Sequence, residues 1–388
     1  MLVKLGTVLR VQHGFAFKSE HYVENSSYRL VTLGNFSENN TFKPNDAKAT
    51  YYGADFPSEF ILQENDLIMP LTEQVVGLFG NTALVPYSKG FKYVLNQRVG
   101  KIICDEHKVD KIYLHYLLAT ESVKKQLEAR ASGTRQRNIS PENIYDVTVD
   151  LPDIEMQRKI GGILKNIEDQ IERNNAMVKR LQVLGQAIFN KFFASESTVV
   201  SLLDFPYIQI LKPGIIKFDG SKHYIATAEV EGEKLNFDAP LIEYATRENR
   251  ANMQPIKNSV WFAKMKNSVK HIYISSLDEY LMDNYVFSTG FCGIKCDEIA
   301  FEYMVNYLNL PYFENEKNIL SHGATMEGVN NEDLKSFKIR LPSKDTLIDF
   351  HNKTQNIYQY ISKINLMSYQ LTRLKEKLLP LLINGQLQ

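Results

Sequence analysis

Four groups of residues in this 388-residue chain have the types that catalysis or metal binding would use. Asp204-Phe205-Pro206-Tyr207 differs by one residue from the Asp-Pro-Pro-Tyr signature of amino-methyltransferases. There a polar group and a stacked aromatic grip the amino group of a flipped base. No glycine-rich cofactor loop in a strand-to-helix setting precedes it, so it reads better as a domain-entry turn. Glu106-His107-Lys108 fits the end of a metal-nuclease motif, but no Pro-Asp stands before it at a suitable distance, and a solvated charged turn accounts for it. The eight histidines are scattered and form no His-Glu-x-x-His pattern. Cys292-x-x-x-Cys296 lacks the second ligand pair of a zinc site. The expectation is therefore no catalytic residue, no metal and no cofactor.

The remaining polar clusters suit a different chemistry. Base edges in the major groove are met by Arg on guanine and by Asn or Gln on adenine. Phosphates take Lys, Arg or backbone amides. In the first half, Lys18 follows the Gly14 loop and Glu73-Gln74 follows the strand-like run ending at Met69. Asn96-Gln97-Arg98 follows Leu95, and Arg135-Gln136-Arg137 lies beside Gly133. In the second half the comparable clusters are Arg247-Glu248-Asn249-Arg250, then Lys264, Lys266, Asn267 and Lys270, with His322 preceding Gly323. Lys18, Gln74, Asn96, Gln97, Arg98, Arg135, Gln136, Arg137, Arg247, Arg250, Lys264, Lys266, Asn267, Lys270 and His322 are thus the candidate DNA contacts. Each cluster can also be read as ordinary solvated surface. Gly133 and Gly323 fit turn formation better than base contact.

These clusters sit on a repeated frame. Ser132-Gly133-Thr134, Asn138-Ile139-Ser140-Pro141-Glu142-Asn143-Ile144 and Leu151-Pro152 recur 190 residues later. The second copy reads His322-Gly323-Ala324, Gly328-Val329-Asn330-Asn331-Glu332-Asp333-Leu334 and Leu341-Pro342. Further echoes pair Glu64–Ile68 with Lys257–Trp261, Tyr93–Leu95 with Tyr285–Phe287, and Cys104-Asp105 with Cys296-Asp297. The shared position of Cys104 and Cys296 favours a packing role.

Each Leu-Pro opens a long helical pattern. Over 153–193, Ile160, Leu164, Ile167, Ile171, Val178, Leu181, Ile188 and Phe192 alternate steps of four and three, with Asn174 and Gly185 filling the two remaining seam positions. Acidic residues early and basic residues late match the helix dipole. Over 345–384, Phe350, Ile357, Ile361, Ile364, Leu371, Leu378 and Leu382 repeat the pattern, and Ile364 takes the repeat position of Asn174. Residues 28–33, 66–69 and 82–85 read as strands, and 112–129 as one amphipathic helix. The fold class expected is α+β: two mixed α/β domains separated by two long antiparallel helices forming a coiled coil, with a pseudo-twofold internal repeat. The boundaries expected are 1–152, 153–194, 195–341 and 342–388. The plainer alternative packs each helical stripe on its own globular domain. A pseudo-twofold axis suits a target that is itself roughly two-fold, of which duplex DNA is the commonest.

Composition agrees with a soluble, core-forming protein: 44% hydrophobic and 23% charged residues. No run of about 18 apolar residues is present, so no membrane partner is expected. No signal-peptide pattern opens the chain, and three cysteines suit no disulfide framework, which places it in the cytoplasm. Forty-five basic residues balance forty-five acidic ones, which argues against strong non-specific DNA binding.

Together these features resemble the specificity subunit of Type I restriction-modification systems. The family alternates two recognition domains with two helical regions, each preceded by a Gly-containing loop and a Leu-Pro. Leu151-Pro152-Asp153-Ile154-Glu155-Met156-Gln157-Arg158-Lys159-Ile160 matches the start of such a region. The second region departs at its start, Asp345–Phe350, but matches at its end, where Leu374-Lys375-Glu376-Lys377-Leu378-Leu379 leads to Asn384-Gly385. Gly14-Phe15-Ala16-Phe17-Lys18-Ser19 resembles the early loop of many such domains. The resemblance implies a non-catalytic subunit that binds double-stranded DNA at a bipartite site, one half-site per domain, with the helices setting the spacer. It also implies partners: two adenine-methylating modification subunits, joined by restriction subunits that translocate and cut. The rival readings are a coiled-coil interaction scaffold with no DNA role, and a self-contained restriction and modification enzyme.

Overall fold

The computed structural model describes residues 1–388 except 38–39, 75–76, 324–326, 384 and 386–388. Ala324 of the second anchor loop and Asn384 near the second helix end lie outside the described residues. The chain divides into two compact units, Met1–Asp169 with Thr372–Gln388, and Gln170–Leu371.

In the first unit an antiparallel sheet has the order Leu9–His13, Val99–Cys104, Leu67–Pro70, Ala83–Leu84. Leu67–Pro70 is buried along its length because both faces of the sheet are covered. Its side chains alternate between two cores, as the period of a strand demands. Leu67 and Met69 join the core beneath the helices, while Ile68 joins Val31, Tyr93 and Leu95 under a second sheet. That second sheet orders Tyr22–Val23, Tyr51–Tyr52, Tyr28–Val31 and Lys92–Leu95, the last two parallel.

The second unit is built to the same plan. Its first sheet orders Ile208–Ile210, Phe291–Cys296, Ser259–Ala263, His271–Ile274, and its second sheet again contains a parallel pair, Ser221–Ile225 with Tyr285–Ser288. Val260 and Phe262 face one core, and Trp261 and Ala263 the other. The helices Lys111–Leu118 and Glu121–Arg130 have counterparts in Phe301–Leu308 and Pro311–Leu320, offset by 190 residues. The same offset relates the long helices Ile154–Phe193 and Lys344–Ile383.

Within each unit, a stretch of the first long helix runs antiparallel to a stretch of the second. In the second unit, Asn174 donates to Ser368 (3.1 Å), Gly185 lies against Tyr358, and Phe192 and Phe193 meet Phe350, so one number rises as the other falls. A Cβ on Gly185 would stand 2.3 Å from the Tyr358 hydroxyl, which explains a glycine in the seam. In the first unit, Ile160 and Leu164 share a core with Leu378, Leu379 and Leu382, and Lys375 pairs with Glu168 at 2.9 Å. No helix among the described residues is long and apolar enough to cross a membrane.

Local chemistry alters three of the expected elements. The helix expected over 112–129 is two helices, because Thr120 adopts extended backbone and its hydroxyl turns back to the Leu117 carbonyl (2.7 Å). The break aims both Leu114–Leu118 and Val123–Leu127 at one core. The strand from Tyr28 ends at Val31, where Thr32 and Asn35 cap a 3-10 turn reciprocally. In the run expected over 82–85, only Ala83–Leu84 is strand. Thr82 instead turns its hydroxyl to the buried His115 ring (2.6 Å).

Candidate nucleic-acid interface

Three loops meet at one edge of the first sheet in each unit, and the backbone joins them in the same way. In the first unit the Leu71 amide donates to Arg98 (2.9 Å) and the Ile139 amide to Leu71 (3.0 Å). In the second, the Lys264 amide donates to Gly290 (3.0 Å) and the Val329 amide to Lys264 (3.0 Å). The third loop closes by reciprocal bonds, Ser132 with Asn138 (2.9 and 2.8 Å) and His322 with Gly328 (3.2 and 3.1 Å). Its second residue is Gly133 (φ +105°) or Gly323 (φ +132°), values that other residues rarely adopt. A Cβ at 133 would also stand 2.2 Å from the Gln136 carbonyl oxygen. Both glycines therefore make turns.

The edge of the first unit brings most of its candidates together. Gly14 and Phe15 bond to Val99 and Leu95, and Gln97 donates back to Phe15, so the loop leading to Lys18 lies on the Asn96–Arg98 loop. Gln97, Arg98, Gln74, Arg135 and Gln136 are all exposed there. Lys18 is also exposed and lies 3.7 Å from Glu20. Asn96 is half-buried and accepts from the Arg98 amide at 3.3 Å. Arg137 differs. Its guanidinium lies 2.9 Å from Glu73, donates to the Glu128 carbonyl (2.7 Å) and covers the Phe79 ring. Glu73, only 1% exposed, also accepts the Leu78 and Phe79 amides (2.9 and 3.1 Å). Arg137 thus joins two loops instead of facing solvent.

The second unit separates its candidates further. Lys264 sits in the backbone junction, and the exposed Lys266 pairs with Glu327. Asn267 is exposed, with its amide donating to Asn318 (2.8 Å). Arg250 is exposed and its carbonyl accepts the Thr289 amide (2.8 Å), which brings its turn to the same edge. His322 is exposed and hydrogen-bonds the Leu320 carbonyl (3.1 Å). Arg247 folds onto its own turn, donating to Tyr244 (2.5 Å) and Ala251 (3.2 Å) with its charge over the Tyr244 ring. Lys270 is half-buried and donates to the Thr227 carbonyl (2.6 Å). Both side chains are half-buried and engaged within the unit.

Sequence reasoning missed the residues that hold this edge. In the sequence Glu73 stands out only as the neighbour of Gln74. Lys317 is buried on the helix Pro311–Leu320 and donates to the Ser268 carbonyl (2.8 Å), anchoring the loop that carries Lys266 and Asn267. Burial lowers its pKa, and the Glu314 carboxylate 2.7 Å away partly restores it. A charged pair on a helix face at i,i+3 is the only signal the sequence carries for it.

The motifs with a catalytic look are absorbed by packing. Phe205 is buried and stacks on Tyr303 at 5.5 Å, and Tyr207 packs edge-on against Phe205. In the Glu106–Lys108 turn, Lys108 pairs with Asp105 (2.8 Å) and the His107 amide caps it. Cys104 and Cys296 occupy equivalent strand ends opposite Leu9 and Ile208. Burial pushes the Cys104 and Cys292 thiols up to about 12. Among the described residues, no cluster of His, Cys, Asp or Glu is arranged to hold a metal.

Residues 1–182 match the family model of the Type I restriction modification DNA specificity domain. Over 207 residues the chain is 28% identical to the Type I restriction enzyme MjaVIII specificity subunit of Methanocaldococcus jannaschii. That match covers 52% of this chain and 47% of the relative, about half the length of each. A solved Type-I restriction-modification S subunit from M. genitalium shares the fold, with TM-score 0.61 at 12% identity over 98% of this chain and 95% of that one.

Proposed function

From the match of residues 1–182 to the Type I restriction modification DNA specificity domain, we propose that the chain is a non-catalytic DNA-reading subunit whose two units each read one half of a bipartite site. The carrying observation is the duplicated edge: the same three loops, joined by the same backbone bonds, present different side chains. A common scaffold with divergent loops is what reading two different half-sites requires. Arg135, Gln136, Gln97 and Arg98 serve the first half-site, and Asn267, Arg250 and His322 the second. Neutral net charge gives little non-specific attraction, so binding depends on these few polar groups and on partner subunits. Two adenine-modifying subunits and the restriction subunits are the partners this reading requires.

The test is methylation mapping in a host carrying this chain with its neighbouring modification subunit, beside a host lacking only this chain. The expected result is an adenine mark at a split motif, present only with the chain. Soluble, associated proteins that leave no new mark would remove the DNA-reading function and favour the scaffold.

A further inference from the structure

The backbone junctions set an equivalence that the side chains then invert. Leu71 and Lys264 occupy one position, since each donates to the adjacent loop and accepts from the third. Ile139 and Val329 occupy another. Two residues on from the first pair of anchors, Glu73 is the counterpart of Lys266, and two residues back from the second pair, Arg137 is the counterpart of Glu327. The strand pairing agrees: Thr72 opposes Asn138 in the first unit, as Met265 opposes Gly328 in the second. At the next position along, Glu73 opposes Arg137 and pairs with it, while Lys266 bonds to Glu327 through both its amide (3.0 Å) and its side chain.

We propose that Glu73–Arg137 and Lys266–Glu327 are one positioning device present twice with its charges exchanged, a staple that fixes the glycine loop against the loop following the central strand. Arg137 and Lys266 are therefore positioning residues, not base readers, and act through the side chains that the two loops present. The inference rests on the DNA-reading function proposed above. It also makes the two glycine loops non-interchangeable. Residues 132–138 grafted into the second unit would set Arg137 against Lys266, so a working exchange must carry both partners.

The staples differ in depth. In the first unit the side chains are 1% and 22% exposed, and Glu73 also holds two backbone amides, so its charge cannot be reversed cleanly. In the second, Lys266 and Glu327 are 40% and 48% exposed, and among the described residues neither side chain has a further ion pair, so reversal there is the cleaner test. The test uses the full chain with its modification subunits as Lys266→Glu, Glu327→Lys and the double variant. Two readouts are taken, hydrogen exchange at the Lys266 and Gly328 amides and binding to a duplex carrying the mapped site. Each single variant should speed exchange and weaken binding by about fivefold, the upper range of an exposed pair, and the double variant should restore both. Single variants with unchanged exchange would overturn the staple. Restored exchange without restored binding would make Lys266 a DNA contact and overturn the positioning role. A wild-type complex that does not prefer the mapped duplex would refute the DNA-reading function, while the exchange data would still judge the staple.

Discussion

Arg135 and Gln136 stand exposed at the crest of the Gly133 loop, two residues from an arginine of quite different standing. Replacing both with alanine should leave the fold intact and reduce modification at one half-site by about tenfold or more, the loss expected for one bidentate base contact. Methylation counts at the two half-sites provide the measurement. Arg137→Ala should act on stability first. It leaves the buried Glu73 carboxylate with its two amides but no counter-charge, at a cost of about 3 kcal/mol in denaturant unfolding. Histidines supply a pH test. Burial holds His115 down to about 4, so between that value and 6.5 the unfolded chain takes up a proton that the folded chain refuses. Stability of the first unit is then complete above about pH 6.5 and falls by about 3 kcal/mol as pH drops toward 4. His351 behaves oppositely. Its hydrogen bond to Glu302 (2.8 Å) raises its pKa, a contribution present below about 6.5 and lost as pH rises through the raised value. Hydrogen exchange followed from pH 5 to well above 6.5 should therefore show core amides of the first unit loosening on acidification, and those around His351 loosening on alkalinisation. A uniform response of both units would refute this assignment.

At the level of elements, both long helices were legible, with ends within one residue of those observed. Ile160 and Leu164 are buried, as are Phe350, Ile361, Ile364 and Leu382. Near the end of the first long helix, however, Phe189 and Phe193 are buried, while Ile188 and Phe192 are only half-buried. A heptad advances 3.5 residues per turn and the helix about 3.6, so eight turns past Ile160 the stripe falls nearly one residue later than the heptad predicts. The polar seam was not legible in the same way. Glu168 is buried between the Tyr116 hydroxyl (2.7 Å) and Lys375 (2.9 Å), although it lies off the expected apolar pattern. Lys375→Met should lower the stability of the first unit by about 3 kcal/mol by stranding that carboxylate. Adding Glu168→Gln should recover much of the loss, as unfolding of both variants would measure.

For the whole molecule, the proposed role of the helical regions as a spacer gives a length test. Four residues added to each long helix at equivalent positions lengthen it by about 6 Å. That corresponds to roughly two base pairs of added spacer in the methylated motif, and an unchanged spacer would remove the ruler. The sequence by itself determined the duplication, the α+β class, the two long helices and the polar clusters, because periodicity and spacing are local properties that any packing must respect. Only the tertiary structure decided which cations remain available. Arg137, Lys266 and Lys270 carry the same formal charge as Arg135, but their partners are a carboxylate or a carbonyl brought in by other loops. It also decided that the end of the second long helix belongs to the first unit, where Leu378 and Leu382 complete a core begun at Leu5. The reason is common to both. A side chain's charge and hydrophobicity are written at its own position, whereas what neutralises or buries it lies tens to hundreds of residues away.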